Sequence, residues 1–337
     1  MTELQDFFQR KNIPIKNTLD DDCDLKEYMD NFDPHIIFPC QPYNQLHGNI
    51  LDFEHNKHRI YCYIPYGISI IKDDLTYNLE FHNLCWRFYL ANNLHYQTAL
   101  ELMANKAINV KIVGEPDYDK FISESIDPWK KITDGKKRKR VIWSPHFSIQ
   151  PNEYLHHSSF LWLFDEMIKI AKEYQDKIQI AFKPHPHLYS VLCSLDNWGE
   201  NKAKEYYRIW AEMKNTQLEE GDYIGLFKFS DAMIHDCSSF TGEYLFVNKP
   251  VLFTSKNIKS IRDESNDFAL KCLDLHYIGQ SIEDIHFFID NIVLHNHDTL
   301  KSDREIFYND YLIPPGNKKV AENIFNDLYE SFELVNH

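Results

Sequence analysis

Three short turns carry most of the polar chemistry in the second half of this sequence: Ser144-Pro145-His146, Lys183-Pro184-His185-Pro186-His187 and His235-Asp236-Cys237-Ser238-Ser239. Each lies at the end of an apolar run, Val141–Trp143, Ile178–Phe182 or Ala232–His235, with the length of a buried strand. In a parallel sheet these ends share one edge, so the side chains of His146, His185, His187 and His235 are expected to converge. Imidazole is the group most easily used near neutral pH as acid, base or phosphate partner. Prolines on both sides of His185 fix its backbone. Phe240–Val247 then has helical spacing, so Asp236, Ser238 and Ser239 stand between a strand end and a helix start. Open α/β sheets bind ligands at such places, where unpaired helix amides favour an anion. The serine hydroxyls add donors, and Glu243, one turn along, has the reach for a ribose hydroxyl. This is the chemistry of a nucleotide diphosphate site. Asp and Ser also cap helices for structural reasons alone, so the convergence of three turns counts for more than any one of them.

Competing uses of these residue types fit less well. The His-Pro-His and His156-His157 spacings match neither a His-Glu-x-x-His helix nor a zinc finger, so no metal is expected. Gly-x-Gly-x-x-Gly and Walker loops are missing from a chain with 10 glycines, which leaves helix amides and serine hydroxyls to hold phosphate. A net charge of −15 argues against a general nucleic-acid binder. His47, His55, His58, His295 and His297 read as surface residues.

The elements that must position the turns alternate. In the first half, helices at Thr2–Lys11 and Asp24–Asn31 flank an extended piece at Ile13–Ile15. Strands follow at Pro34–Pro39, His58–Ile64, Leu84–Leu90 and Asn109–Val113, with a helix at His95–Asn105. The second half adds helices at Ser159–Tyr174 and Lys202–Asn215, the segment Tyr223–Phe229, a strand at Pro250–Phe253, and helices near Ile282–Val293 and Lys319–Leu334. Such alternation predicts parallel sheets in an α/β fold, and 337 residues suit two domains. Lys130–Arg140 carries seven basic residues and reads as the linker, with a charge that also suits anionic lipid headgroups or an acidic acceptor. The expected boundaries are 1–129 for an acceptor-side domain, 130–140 for the linker, 141–300 for a donor-binding domain and 301–337 for a helical tail. Seven cysteines without a Cys-x-x-Cys pair point to a reducing compartment. The first residues lack the apolar core of a signal peptide, and the apolar stretch near Ile60–Ile71 is broken by Pro65 and Gly67. A soluble, cytoplasmic protein is expected.

Lys183–Pro186, Ser230–Ser239 (SDAMIHDCSS) and Lys249–Phe253 (KPVLF) together resemble the CDP-glycerol glycerophosphotransferase family of teichoic-acid and capsule synthesis. Val141–His146 is similar to the strand and turn opening that family's donor domain, and Val113–Asp119 to its Gly-x-Pro-x-x-Asp segment. Ordered matches run from about Tyr63 to Phe253. The resemblance implies a GT-B architecture, two Rossmann-like domains facing a cleft, and transfer of a glycerol-phosphate-like unit from a CDP-linked donor without metal or other cofactor. The acceptor would be a hydroxyl of a glycan or lipid-linked chain, with peripheral membrane contact at the inner face. It assigns catalysis to His185 and donor binding to Lys183, His235, Asp236, Ser238, Ser239, Thr241 and Glu243. Two departures stand out. The family's Trp-His-Gly turn, with its presumed base, is matched here by Pro65-Tyr66-Gly67. Tyr66 is a poor base near neutral pH, its reference pKa being about 10, so His146 becomes the candidate. The N-terminal domain also reads as shortened, with no strand and helix found before Pro34. Two alternatives stay open: a GT-B glycosyltransferase using a nucleotide sugar, and a catalytically silent nucleotide- or glycan-binding subunit.

Overall fold

The apolar runs pair into two all-parallel sheets in the computed structural model, which describes residues 8, 10–14, 25–39, 41–42, 53, 56–149 and 158–333. The expected element Thr2–Lys11 and the residues His47, His55, His156 and His157 lie wholly or largely outside that set, as does Ile15 of the expected extended piece Ile13–Ile15. The first sheet has the order β1(Ile36–Ile37), β2(Ile60–Tyr63), β3(Arg87–Leu90), β4(Val110–Ile112). The second comprises β5(Lys139–Ser144), β6(Ile178–Phe182), β7(Thr216–Leu218), β8(Ala232–His235), β9(Val251–Thr254) and β10(Tyr277–Gly279), in the spatial order β10-β9-β8-β5-β6-β7.

That second order is the doubly wound one, with the chain reversing its direction of travel between β5 and β8. Its central strands are predominantly apolar because helices cover both faces, and all residues of β6 and β8 are buried. Register is continuous across the reversal, with Trp143 opposite Ile234 and Ser144 opposite His235. The carboxyl ends of β5, β6 and β8 therefore lie side by side, as the spacing of the turns requires.

The two sheets share core. One apolar cluster joins Cys62, Ile68, Tyr89 and Val113 to Ile142, Met233, Phe240 and Tyr244. The loop after β2 is tied to the second half by Asn266 N–H to Ile70 O at 2.9 Å and Asn266 Nδ2 to Ser69 O at 3.0 Å. Gly242 makes this approach possible, since a Cβ there would meet Phe268 at 2.8 Å and Ile68 at 3.0 Å. The helix Val320–Glu333 returns to the first sheet. Asp327 accepts from Arg87 Nε at 2.8 Å and from Tyr89 Oη at 2.9 Å. Asp119 accepts from the amides of Val320 at 2.8 Å and Ala321 at 3.1 Å, which gives the final Asp of Gly-x-Pro-x-x-Asp a capping task.

The basic run does not stand free. Lys136 pairs with Asp176, Arg138 with Asp134, Lys139 with Asp231 and Arg140 with Asp127. Lys130 gives its Nζ to the carbonyls of Met213 and Thr216, and Lys139 and Arg140 already belong to β5. Five of its seven basic residues are thus engaged within the protein. No helix among the described residues is long and apolar enough to cross a membrane.

Candidate active site

The turn after β6 is built to present one edge of an imidazole. Its path is held by His185 N–H to Pro145 O at 3.0 Å and Lys183 N–H to Trp143 O at 2.8 Å, so it is sewn to the turn after β5. The His187 amide donates to His185 Nδ1 at 3.1 Å. Nδ1 is thereby an acceptor, and the ring proton belongs on Nε2. Burial, then His187 and Lys183, pull the His185 pKa down to about 4. At neutral pH this is an uncharged imidazole offering an N–H.

His146 sits against it, the rings 4.8 Å apart and near perpendicular. Its Nδ1 is engaged with the Ser148 hydroxyl at 2.8 Å. Phe147 packs on both rings, at 4.5 Å from His146 and 4.4 Å from His185. His146 thus stands in the donor half beside His185. Lys183 is 5% exposed. Burial lowers its ammonium pKa, with Glu219 the first of several neighbours opposing this.

Asp236 has a different partner set from the one expected. It is 1% exposed, and one oxygen accepts the His146 amide at 2.5 Å. The other accepts the Ser159 amide and, at 2.5 Å, the Ser159 hydroxyl. The carboxylate clamps the turn after β5 and the start of the helix Phe160–Glu173 across the reversal point. Burial pushes its pKa up to about 7 against the pull of these bonds. His235 is 0% exposed, with Nδ1 on Cys237 O at 3.1 Å and its ring beside Phe253 and His276, so it faces the interior and not the cleft. Thr241 is buried as well, its hydroxyl closing the turn onto Cys237 O at 3.3 Å. Ser238 and Ser239 remain half-buried at the helix start, Phe240–Glu243, which continues as a tighter turn at Tyr244–Val247.

Glu243 lies beneath that surface, 3% exposed. It lies within electrostatic reach of Glu115 and Asp117 beyond the end of β4, and Tyr223 of the second half donates its hydroxyl to Asp117 at 3.0 Å. Burial first, and then Asp117, push the Glu243 pKa up to about 7 despite bonds from Tyr223 and Ser239. A carboxyl whose folded pKa exceeds its unfolded value binds more protons when folded. Its contribution is present in acid and is lost as pH rises from about 4.5 through about 7. Glu243→Gln should therefore flatten the fall in melting temperature between pH 5 and 8, by the equivalent of roughly 3 kcal/mol. Calorimetric melts of both proteins across that range measure it, and equal slopes would refute it.

The first half contributes what sequence reading missed. Tyr66 is 75% exposed and does not close the site. Behind it the carboxyl ends of β2, β3 and β4 surround a cavity of about 20 Å³, lined by Pro65, Gly67, Ala91, His95 and Glu115. The only signal for Glu115 was its place in Gly114-Glu115-Pro116 directly after a strand. His95 gave none, being one position in an amphipathic helix.

Residues 70–330 match the family model described as CDP-Glycerol:Poly(glycerophosphate) glycerophosphotransferase. No curated protein is a significant match. Among solved structures, the fold is similar to a putative UDP-N-acetylglucosamine 2-epimerase from Listeria monocytogenes, at 12% identity and TM-score 0.62, over 98% of this chain and 86% of that one. It is similar to a UDP-GlcNAc 2-epimerase from Methanocaldococcus jannaschii in complex with UDP-GlcNAc and UDP, at 14% identity and TM-score 0.61, over 97% and 88%. A variant of the wall teichoic acid polymerase TagF matches at 14% identity and TM-score 0.58, over 89% and 74%. These likenesses bear out the GT-B-like α/β architecture read from the alternation of elements.

Proposed function

The chain belongs to the CDP-glycerol:poly(glycerophosphate) glycerophosphotransferase family, and from that premise we propose how its own residues carry out the transfer. It is a transferase with CDP-glycerol as donor. In the reaction, an acceptor hydroxyl oxygen bonds to the phosphorus bearing glycerol. The bond from that phosphorus to the bridging oxygen breaks, CMP leaves with the electron pair, and the hydroxyl proton passes to a base.

The observation that carries the residue assignments is that the turn after β5 is tied on one side to the His185 turn, by His185 N–H to Pro145 O at 3.0 Å, and on the other to the turn holding Ser238 and Ser239, by the His146 amide to Asp236 at 2.5 Å. The diphosphate would lie across the carboxyl ends of β5, β6 and β8. Nε2–H of His185 and the hydroxyls of Ser238 and Ser239 would donate to its oxygens, and Lys183 would offset their charge. These fixed donors favour the transition state, in which negative charge grows on the departing CMP. Being neutral, His185 stabilises by hydrogen bonding and needs no proton transfer of its own. His146 supports the ring from behind, and Asp236 acts through the His146 turn. Glu243 would take the ribose once the halves part around the donor.

The charge balance is supplied by side chains in this scheme, so we propose that no metal is required. The acceptor is proposed to be a hydroxyl of a cell-surface glycan or lipid-linked chain, met at the inner face of the membrane. A calorimetric titration with CDP, CMP, UDP and GDP in EDTA tests the donor site. CDP should bind in preference to UDP and GDP, with affinity lost by about tenfold or more in Ser238→Ala/Ser239→Ala, as expected for two charge-assisted bonds. Transfer from CDP-glycerol should survive EDTA unchanged. Preference for UDP, or loss of turnover in EDTA, would overturn the reading.

A further inference from the structure

The transfer needs a group to take the acceptor's proton, and the exposed Tyr66 is not one. Open α/β sheets bind ligands outside the carboxyl ends of their strands. In the first sheet those ends enclose the cavity of about 20 Å³ behind Pro65 and Gly67, room for one water. Three titratable side chains line it: Tyr89, whose hydroxyl is committed to Asp327 at 2.9 Å, Glu115 shortly after β4, and His95 from the helix Asn93–Leu102.

Each is held in a defined state. His95 Nε2 lies 2.8 Å from Ser69 O. A carbonyl only accepts, so Nε2 carries the proton and Nδ1 presents a bare lone pair. That Nδ1 is buried without a partner in a side chain 1% exposed. Such an orphaned acceptor is costly unless something donates to it. Glu115 is 7% exposed, and its backbone is set by Gly114 at φ +104°, where a Cβ would strike Pro314 at 2.7 Å. Across the boundary it faces Glu243 of the donor half, whose Oε2 is likewise buried and unpaired. The cavity therefore combines an acceptor for a hydroxyl's hydrogen with a carboxyl, next to the donor site.

We propose that Glu115 is the catalytic base for the acceptor hydroxyl at the end of the first sheet, with His95 Nδ1 accepting from a neighbouring hydroxyl of the same acceptor. This rests on the glycerophosphotransferase reading. The acceptor O–H proton moves to the Glu115 carboxylate as its oxygen bonds phosphorus and CMP departs. The groups facing Glu115 are His95, Glu243, Asp117 and Lys120. Burial, Glu243 and Asp117 hold the Glu115 carboxyl well above the usual range, against Lys120 and the Asp117 amide. The raised pKa makes Glu115 a stronger proton acceptor than an exposed carboxylate, and His95, drawn down to about 4 by burial, is the weaker one.

The test follows CMP release from CDP-glycerol by the full chain, with glycerol in excess as the acceptor hydroxyl and water as background. Glu115→Gln should lower turnover by about 10²–10⁴-fold, the usual worth of a general base. CDP affinity should be unchanged. Glu115→Ala, checked for folding by circular dichroism, should regain activity when formate is added to fill the vacated carboxylate position. Turnover of the wild type should rise with pH as Glu115 ionises, and that rise should vanish in Glu115→Gln and persist, at a lower rate, in Glu115→Asp. Turnover in Glu115→Gln within roughly threefold of wild type, or no response to formate, would overturn the assignment. No CMP release by the wild-type protein would instead overturn the glycerophosphotransferase reading on which it stands.

Discussion

His185→Ala should lower turnover of CDP-glycerol by about 10²–10³-fold while CDP binds with nearly wild-type affinity. The reason lies in the ring's protonation. With the His187 amide on Nδ1 at 3.1 Å and a pKa drawn down to about 4, His185 offers a neutral Nε2–H. A donor aimed at a departing phosphate gains most where charge is growing, so its loss falls on the chemical step. His185→Gln keeps an N–H on a side chain of similar reach and should retain about tenfold more activity than alanine. If glutamine and alanine are equally inactive, proton transfer and not hydrogen bonding is what the ring supplies. If alanine is nearly fully active, the turn after β6 is only structural. Steady-state kinetics of both variants, with calorimetric CDP binding as the control, separate these cases.

Asp236→Ala should cost about 4 kcal/mol of stability and abolish CDP binding with it. Three donors lose their partner at once: the amides of His146 and Ser159 and the Ser159 hydroxyl. All lie in a site 1% exposed at Asp236, so water cannot replace it without opening the sheet edge. Ser159→Ala is the calibrating variant. It removes one hydroxyl and leaves the carboxylate bonded to both amides, so it should cost only about 1 kcal/mol. Denaturant melts of the three proteins decide the matter. A loss for Asp236→Ala no larger than for Ser159→Ala would mean that the clamp does not hold the two turns together.

Much of the fold was legible because the second half has strong local signals. Ile178–Phe182 and Ala232–His235 are strands with the bounds read from their apolar runs. The helices Phe160–Glu173 and Val320–Glu333 lie within a residue of expectation. The three-residue strands β7 and β10 were missed, since Thr216–Leu218 and Tyr277–Gly279 are too short to set up a period. Pro34–Pro39 shrank to a two-residue edge strand at Ile36–Ile37, flanked by prolines that cannot extend a ladder. In the turns, residue types identified a polar edge but not its outward face. His235, Asp236 and Thr241 point inward, whereas His185 is half-buried beside His146.

By itself, then, the order of apolar runs and polar turns determined a parallel α/β fold, and the joint motifs at Lys183–Pro186 and Ser230–Ser239 determined the family. These are local properties, written in periods of two and 3.6 residues and in short contiguous strings. Only the tertiary structure decided which polar groups serve the ligand and which serve the sheet. Asp236 bonds Ser159 from 77 positions away, and Glu115 feels the charge of Glu243 across the boundary between the two sheets. Hydrogen-bond partners, burial and the resulting pKa shifts depend on what the chain brings into contact, and no spacing along it records that.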